Sequence, residues 1–269
     1  MLVADDAGIL PRVRDLLISV PLGVTCAVLL IFFLSVSFAA RVMVSRRCAD
    51  DTGEVLVDQA NHLLTGLAAT FAFFVGFAIT VTWGAVSAGQ LAVEQQAAAI
   101  QQMAWQIKTI PDRAESAALM DKLRTYATTA ATADDAFLTS GDTANLPSAV
   151  ALDRFEDGLH IYAFGPKAPA QEVSSLVVAA SALGTTSASV SAVAKRTIPG
   201  MLAVLLVVSG VLVAAVMGIT TVKSHRPFLM FIWCLIPALS ITVVIALAFP
   251  FAHLIGVNLA PLQMVSQRL

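Results

Sequence analysis

The sequence predicts an all-α integral membrane protein: four transmembrane helices in two hairpins, with a helical extramembrane domain of about a hundred residues between the second and third. Three observations carry this. Hydrophobic residues make up 58% of the 269 and charged residues only 13%, about half the charged share of a soluble domain, and mean hydropathy is +0.82. Four apolar stretches each exceed the roughly twenty residues that cross a bilayer at helical rise. The segment between them keeps apolar residues at alternating three and four spacing, a helical rather than a strand period.

The first stretch runs from Leu16 to Ala40 without a charge. Its leader mixes acids and bases (Asp5, Asp6, Arg12, Arg14, Asp15), and no convincing small-residue cleavage site follows, so it reads as an uncleaved helix rather than a signal peptide. The second runs from Leu63 to about Ala88, with no charge before Glu94. The third spans about Ile198 to Val222 and the fourth Pro227 to Phe251. Helices are the expected form, because a lone segment in lipid must satisfy its own backbone hydrogen bonds. Pro21, Pro199 and Pro227 fall near helix starts, where a missing N–H costs nothing, while Pro237 inside the fourth span is expected to kink it. The chain thus divides into an N-terminal segment with the first span and a charged loop (1–62), the second span (63–88), the helical domain (89–196), and the last two spans with a short tail (197–269). An even number of spans puts the termini and the domain on one face. Arg41, Arg46, Arg47, Lys223 and Arg226 on one side balance Arg12, Arg14, Lys195, Arg196 and Arg268 on the other, so the positive-inside rule gives a tie.

In the domain, after Leu91, the residues Ile100, Met103, Ile107 and Ile110 fall at alternating three and four spacing and form a helix seam. Pro111 ends that helix and Pro111-Asp112 begins another, with Ala117, Leu119, Met120, Leu123 and Tyr126 on one face. Gly141, Pro147, Gly158, Gly165 and Pro166 predict short helices and loops from Asp134 to Lys167. An Ala/Ser/Val-rich helix from Ala170 to Lys195, weakened at Gly184, leads into the third span, and it is expected to pack beside the helix leaving the second.

Recognisable chemistry is scarce. Cys26, Cys48 and Cys234 are odd in number and lack paired spacing, which fits neither a disulfide framework nor a zinc site. His62, His160, His225 and His253 have no partner at ligand spacing, and no metal or cofactor is expected. The acidic pairs Asp50-Asp51 and Asp134-Asp135 read as solvated loop residues; the alternative, a held cation, lacks the further oxygens in register that a calcium loop needs. No phosphate loop, nucleophile elbow or HExxH motif occurs, and no nucleophile, base and orienting group fall together; the expectation is not an enzyme. A net charge of -2 gives no basic stripe for nucleic acid. No span holds a carboxylate, lysine or arginine, which argues against a pump or coupled transporter. Shape remains. Gly210, Ala214 and Gly218 form a small-xxx-small helix-packing stripe. Phe73 and Phe77, with Gly76 between them, lie one turn apart on a shared face of the second span; they face lipid, pack the bundle, or form a hydrophobic constriction that gates by dewetting.

The run Phe73-Phe74-Val75-Gly76-Phe77-Ala78-Ile79-Thr80-Val81-Thr82-Trp83 resembles the second span of bestrophins, whose phenylalanines line the neck of a pentameric anion channel. Nearly the whole chain is similar to the bestrophin-like family of bacterial multi-pass membrane proteins. The family pattern of paired spans, a Glu with small residues, a proline break, a helix with a tyrosine and a closing tail is met here. Glu94 through Ala99, Pro111, Leu123-Arg124-Thr125-Tyr126, and Ala248-Phe249-Pro250-Phe251 with Val257, Pro261 and Leu262 carry it. The resemblance implies a homo-oligomer with the second span innermost and Phe73, Gly76 and Phe77 at the neck. The proline that precedes the neck phenylalanines in bestrophins is missing, and Ala69 stands where a larger apolar residue is expected. No acidic run matches the bestrophin calcium clasp, so calcium gating is not implied. Bestrophins hold the central domain in the cytoplasm, whereas the density of arginine in the short loops leans the other way, and the side stays open. Two readings follow for a protein of the cell membrane: an oligomeric channel for anions or small solutes, or a non-conducting accessory or scaffold subunit that binds an unlike membrane-protein partner through the Gly210–Gly218 stripe and the helical domain.

Overall fold

The computed structural model describes residues 20–47, 52–165, 170–195, 199–222, 227–252 and 256–269. The leader up to residue 19 and Cys48, Asp50, Asp51, Pro166, Lys167, Arg196, Ile198, Lys223, His225, Arg226 and His253 lie outside these, so the readings that rest on them have no structural counterpart. Every regular element among the described residues is helical: α1 Leu22–Arg47, α2 Thr52–Lys108, α3 Arg113–Thr132, α4 Asp135–Ser140, a 3-10 turn Thr143–Asn145, α5 Pro147–Ala163, α6 Ala170–Ala194, α7 Gly200–Thr220, α8 Pro227–Ala248 and α9 Ala260–Arg268. They fall into two compact units, one of residues 1–83 and 197–248, the other of 84–196 and 249–269.

Three of the four apolar stretches form helices that begin at the prolines marking them in the sequence. Pro21 precedes α1 and its carbonyl receives the N–H groups of Val24 and Thr25; Pro199 does the same for Leu202 and Ala203 at the start of α7. Pro227 opens α8, which runs on through Pro237 to Ala248 as one helix. The second stretch is different. Between Leu63 and Lys108 there is no proline, and nothing in the backbone chemistry ends a helix where hydropathy falls. α2 is accordingly a single helix of 57 residues, about 85 Å at helical rise, so no helix end falls at residue 88, although the division into two units lies nearby, between residues 83 and 84. Five helices meet the length and composition needed to cross a membrane, the fifth being Val173–Ala194 within α6. Length and composition therefore do not by themselves single out four. That segment is the least apolar of the five, at mean hydropathy 1.6 against 2.8 for α7, because serine and threonine interrupt it.

In the first unit α1 lies along α7 and α8. Its core is Phe33, Phe71, Leu206, Val213, Cys234 and Ile241 with their neighbours. The small residues of α7 face this core, and α1 crosses them. A Cβ on Gly210 would stand 3.1 Å from the Phe33 ring. One on Gly218 would collide with the Ser37 carbonyl.

The second unit buries the seam of α2: Val93, Ile100, Met103 and Ile107 are fully enclosed, Ile110 nearly so. Leu91, just before that seam, is exposed; the buried stripe begins at Ala92 and Val93. The break after Lys108 closes through N–H bonds from Thr109 and Ile110 to Gln106 and Ile107, and Asp112 caps α3 by accepting from Ala114 N at 3.0 Å. Along α3 the buried residues are Leu119, Leu123, Tyr126, Ala127, Ala130 and Ala131; Ala117, assigned to the same face, is exposed. The stretch after Asp134 is less broken than its glycines suggest. Gly141 ends α4 with φ 70°, the left-handed conformation that glycine adopts without strain, but Gly158 lies inside the 17-residue α5. There the missing Cβ leaves room for the Lys122 side chain. α6 continues through Gly184 and contacts α2 where the Ser175 hydroxyl donates to Gln106 Oε1, 3.2 Å.

Residues 249–269, grouped by sequence with the last two spans, belong to this unit. Val257 fills the notch at Gly89, where a Cβ would come within 2.6 Å of it. Asn258 N–H donates to Gln90 Oε1 at 3.0 Å and its own Oδ1 accepts from Ala260 N, capping α9. Thr139 donates to Phe251 O, and Arg124 to the carbonyl of Leu269.

Candidate functional site

A helix in a membrane bundle turns one face to its neighbours and leaves the rest to lipid, water or another subunit. On α2 the division is sharp. Phe71 and Ala78 are buried at 5% and 0% exposure, whereas Phe73 and Phe77, on the other side, are 68% and 53% exposed. Phe73 meets the edge of Phe74 in a T-shaped pair with centroids 5.9 Å apart, which steadies one ring outward while Phe74 stays partly buried. Gly76 has nothing within 4 Å of where a Cβ would sit. The structure thus places the three residues on the exposed part of α2.

The hydroxyls flanking the rings are not available to a solute as donors. Thr70 Oγ1 donates to the Gly66 carbonyl at 2.8 Å and Thr80 Oγ1 to the Gly76 carbonyl at 2.9 Å. What the face offers outward is ring edge, methyl and lone pair. Behind it, between α2, α7 and α8, lies an apolar cavity of about 330 Å³ bounded by Phe71, Val75, Gly76, Val213, Trp233 and Pro237.

The stripe of Gly210, Ala214 and Gly218 is brought together on one buried face of α7, separate from the phenylalanines. Since α1 occupies it, it is not an open surface for an unlike partner. The remaining chemistry-bearing residues are dispersed. Cys26 is partly exposed and Cys234 buried. His62 stands on α2 beside Asp58, 3.8 Å away and mostly exposed; His160 stacks on Phe164 at 4.5 Å. Among the described residues no three His, Cys, Asp or Glu side chains gather as a metal site.

One group departs from its sequence reading. Asp134, expected in solvent with Asp135, is 4% exposed and accepts from Ser148 N at 3.0 Å. Burial pushes its carboxyl above the usual range, against the pull of the Ser148 hydroxyl and N–H. The partner lies 14 residues on, beyond the reach of any local pattern, whereas Asp135 stays exposed as expected. Near it Gln96 Nε2 donates to the Tyr126 hydroxyl at 2.7 Å, both side chains buried. Burial, above all, raises the Tyr126 phenol, and a hydrogen bond with Ser187 opposes the rise. The sequence signal for this pair is a glutamine in phase with the apolar seam of α2, three residues after Val93 and four before Ile100.

Comparison with known proteins fits this fold. The family model described as Bestrophin-like domain matches residues 28–262. No curated protein sequence matches the chain. Among solved structures, a bacterial bestrophin homologue from Klebsiella pneumoniae is similar with a TM-score of 0.65 at 13% identity, over 88% of this chain and 96% of that one. A mutant of that homologue gives 0.66 at 12% identity, again over 88% and 96%, and a further bacterial bestrophin homologue variant from the same organism gives 0.66 at 12% over 90% and 96%. At such identity the likeness is one of fold.

Proposed function

The chain belongs to the bestrophin-like domain family, and from that premise we propose that it is the subunit of a homo-oligomeric channel in the cell membrane, passing anions or small solutes through a constriction made by Phe73, Gly76 and Phe77. In this reading α1, the 63–88 part of α2, α7 and α8 are the spans, and the 89–196 domain, α6 included, stays outside the bilayer. The observation that carries it is the exposure of Phe73 and Phe77 on the face of α2 opposite to Phe71 and Ala78. Repeated around an axis, that face encloses a ring of phenyl edges. Aromatic edges carry the positive part of the ring quadrupole, and with the Thr70 and Thr80 donors turned to the backbone those edges are the face's attraction for an anion. An apolar neck of this kind holds back water and ions until it widens.

The accessory-subunit reading drew on the Gly210–Gly218 stripe, which α1 fills. No catalytic role is assigned.

The test is the mass and subunit composition of the complex in nanodiscs, followed by conductance of Phe73→Ala and Phe77→Ala. Identical subunits, and a several-fold rise in conductance on trimming either ring, support the channel. A monomer, a stoichiometric complex with a different protein, or conductance indifferent to both substitutions overturns it.

A further inference from the structure

The second unit encloses a cavity of about 10 Å³, enough for one water-sized sphere. Gln96, Asp134, Ser148, Ser187 and Ser191 supply its polar wall, with Leu262 on the apolar side. The donors in that wall are engaged within the protein, the Ser187 hydroxyl pairing with Tyr126. Gln96 Nε2 goes to Tyr126, the N–H and hydroxyl of Ser148 go to Asp134, and the Ser191 hydroxyl goes to the Ser187 carbonyl at 3.2 Å. Acceptors are left over. Gln96 is 3% exposed, and among the described residues no group donates to its Oε1. The Asp134 carboxylate adds a negative charge, and no lysine, arginine or histidine lines the cavity.

A buried, acceptor-rich wall with one uncompensated charge is costly. A water would bring donors but no charge; a divalent ion would bring twice the charge that one carboxylate balances, and calcium takes six to eight oxygens. We propose that this cavity binds one small monovalent cation, of the size of sodium, between the Asp134 carboxylate, Gln96 Oε1 and the serine hydroxyl oxygens. The ion ties together three parts of the unit: α2 through Gln96, α6 through Ser187 and Ser191, and the starts of α4 and α5 through Asp134 and Ser148. The start of α5 has particular need of it. Leu146, at the N-cap of α5, has no side-chain oxygen, so Asp134 is the group that caps α5 from a distance.

The test uses the full chain in nanodiscs and reads amide hydrogen exchange over residues 134–150 in sodium chloride against choline chloride at equal ionic strength. The expected result is a saturable, several-fold slowing by sodium, abolished in Asp134→Asn and weakened in Gln96→Met. Asp134→Asn keeps an oxygen for Ser148 N–H, and its melting temperature in choline shows whether it folds; the two wild-type arms decide the matter without it. Equal exchange in the two chlorides overturns the proposal, the Gln96 amide then turning Nε2 to Asp134 and leaving no charge-selective site. A sodium response that survives in a folded Asp134→Asn overturns it as well.

Discussion

Replacing Gly218 by alanine adds one methyl group at the closest approach of α1 to α7. The methyl meets the Ser37 carbonyl, which is backbone and cannot rotate away, and stands 3.1 Å from the Ala40 Cβ. To restore contact distances the helices must part by roughly 1 Å, and a gap of that size forfeits a quarter to a half of the dispersion well for each contact it opens. Overpacking of this kind costs about 1–3 kcal/mol, and the upper half of that range is expected here because backbone must move. Gly210→Ala meets the Phe33 ring at 3.1–3.2 Å and Phe71 at 3.5 Å; rings can slide, so about 1 kcal/mol is expected. Gly76→Ala meets nothing within 4 Å and removes a glycine from a helix interior, a gain of up to about 1 kcal/mol. Thermal unfolding in nanodiscs, followed by tryptophan fluorescence, should rank the melting temperatures Gly76→Ala, wild type, Gly210→Ala, Gly218→Ala from highest to lowest. If Gly218→Ala melts with wild type, α1 does not lie in the stripe and the packing described for the first unit is wrong.

Tyr126→Phe leaves the buried Gln96 Nε2 without its acceptor and should destabilise the second unit by about 1–3 kcal/mol, measured by denaturant unfolding. Gly89→Val forces Val257 out of its notch, and faster hydrogen exchange over residues 256–269 should report the loosened tail. Asp134 carries a sign for pH. Its folded carboxyl titrates above the unfolded value of about 3.9, so the native state binds the extra proton between those two values and stability rises as pH falls through that window. Glu156 is raised in the same direction, by burial and then by Asp153 and Asp157. In sodium-free buffer the melting temperature should therefore climb on mild acidification, and less so in Asp134→Asn; a pH profile unchanged by that substitution would remove Asp134 from the account.

The parts of this architecture legible in the sequence are those written in local pattern. Pro21, Pro199 and Pro227 mark helix starts because a proline needs no donor there, and the seam Ile100, Met103, Ile107, Ile110 is buried as its spacing requires. Three kinds of feature were hidden. The end of the second span was drawn at Ala88 by polarity, yet no residue there breaks a helix. Inside a membrane hydropathy cannot tell the inward Phe71 from the outward Phe73, since lipid and core are equally apolar. Long-range pairings leave no local trace: Ser148 on Asp134, Val257 on Gly89, and Asn258 on Gln90 are visible only once the chain is folded. α6 shows the converse, a helix that length and composition do not separate from a span, because alanine and valine serve a buried face as well as a lipid one.

The crossing of α1 over α7 bears on how the protein is made. Phe33 and Ser37 emerge from the ribosome about 180 residues before Gly210 and Gly218, an interval of roughly 10–35 s at ordinary rates of synthesis. For that time α1 stands in the bilayer without the surface it was shaped to meet. A soluble helix with such a face would aggregate, but lipid solvates Phe33 as well as α7 does, and Ser37 is among the few polar groups left waiting. The order of insertion therefore does little harm: the first helix is parked in solvent that suits it, and the glycines that arrive later admit it before α8 follows.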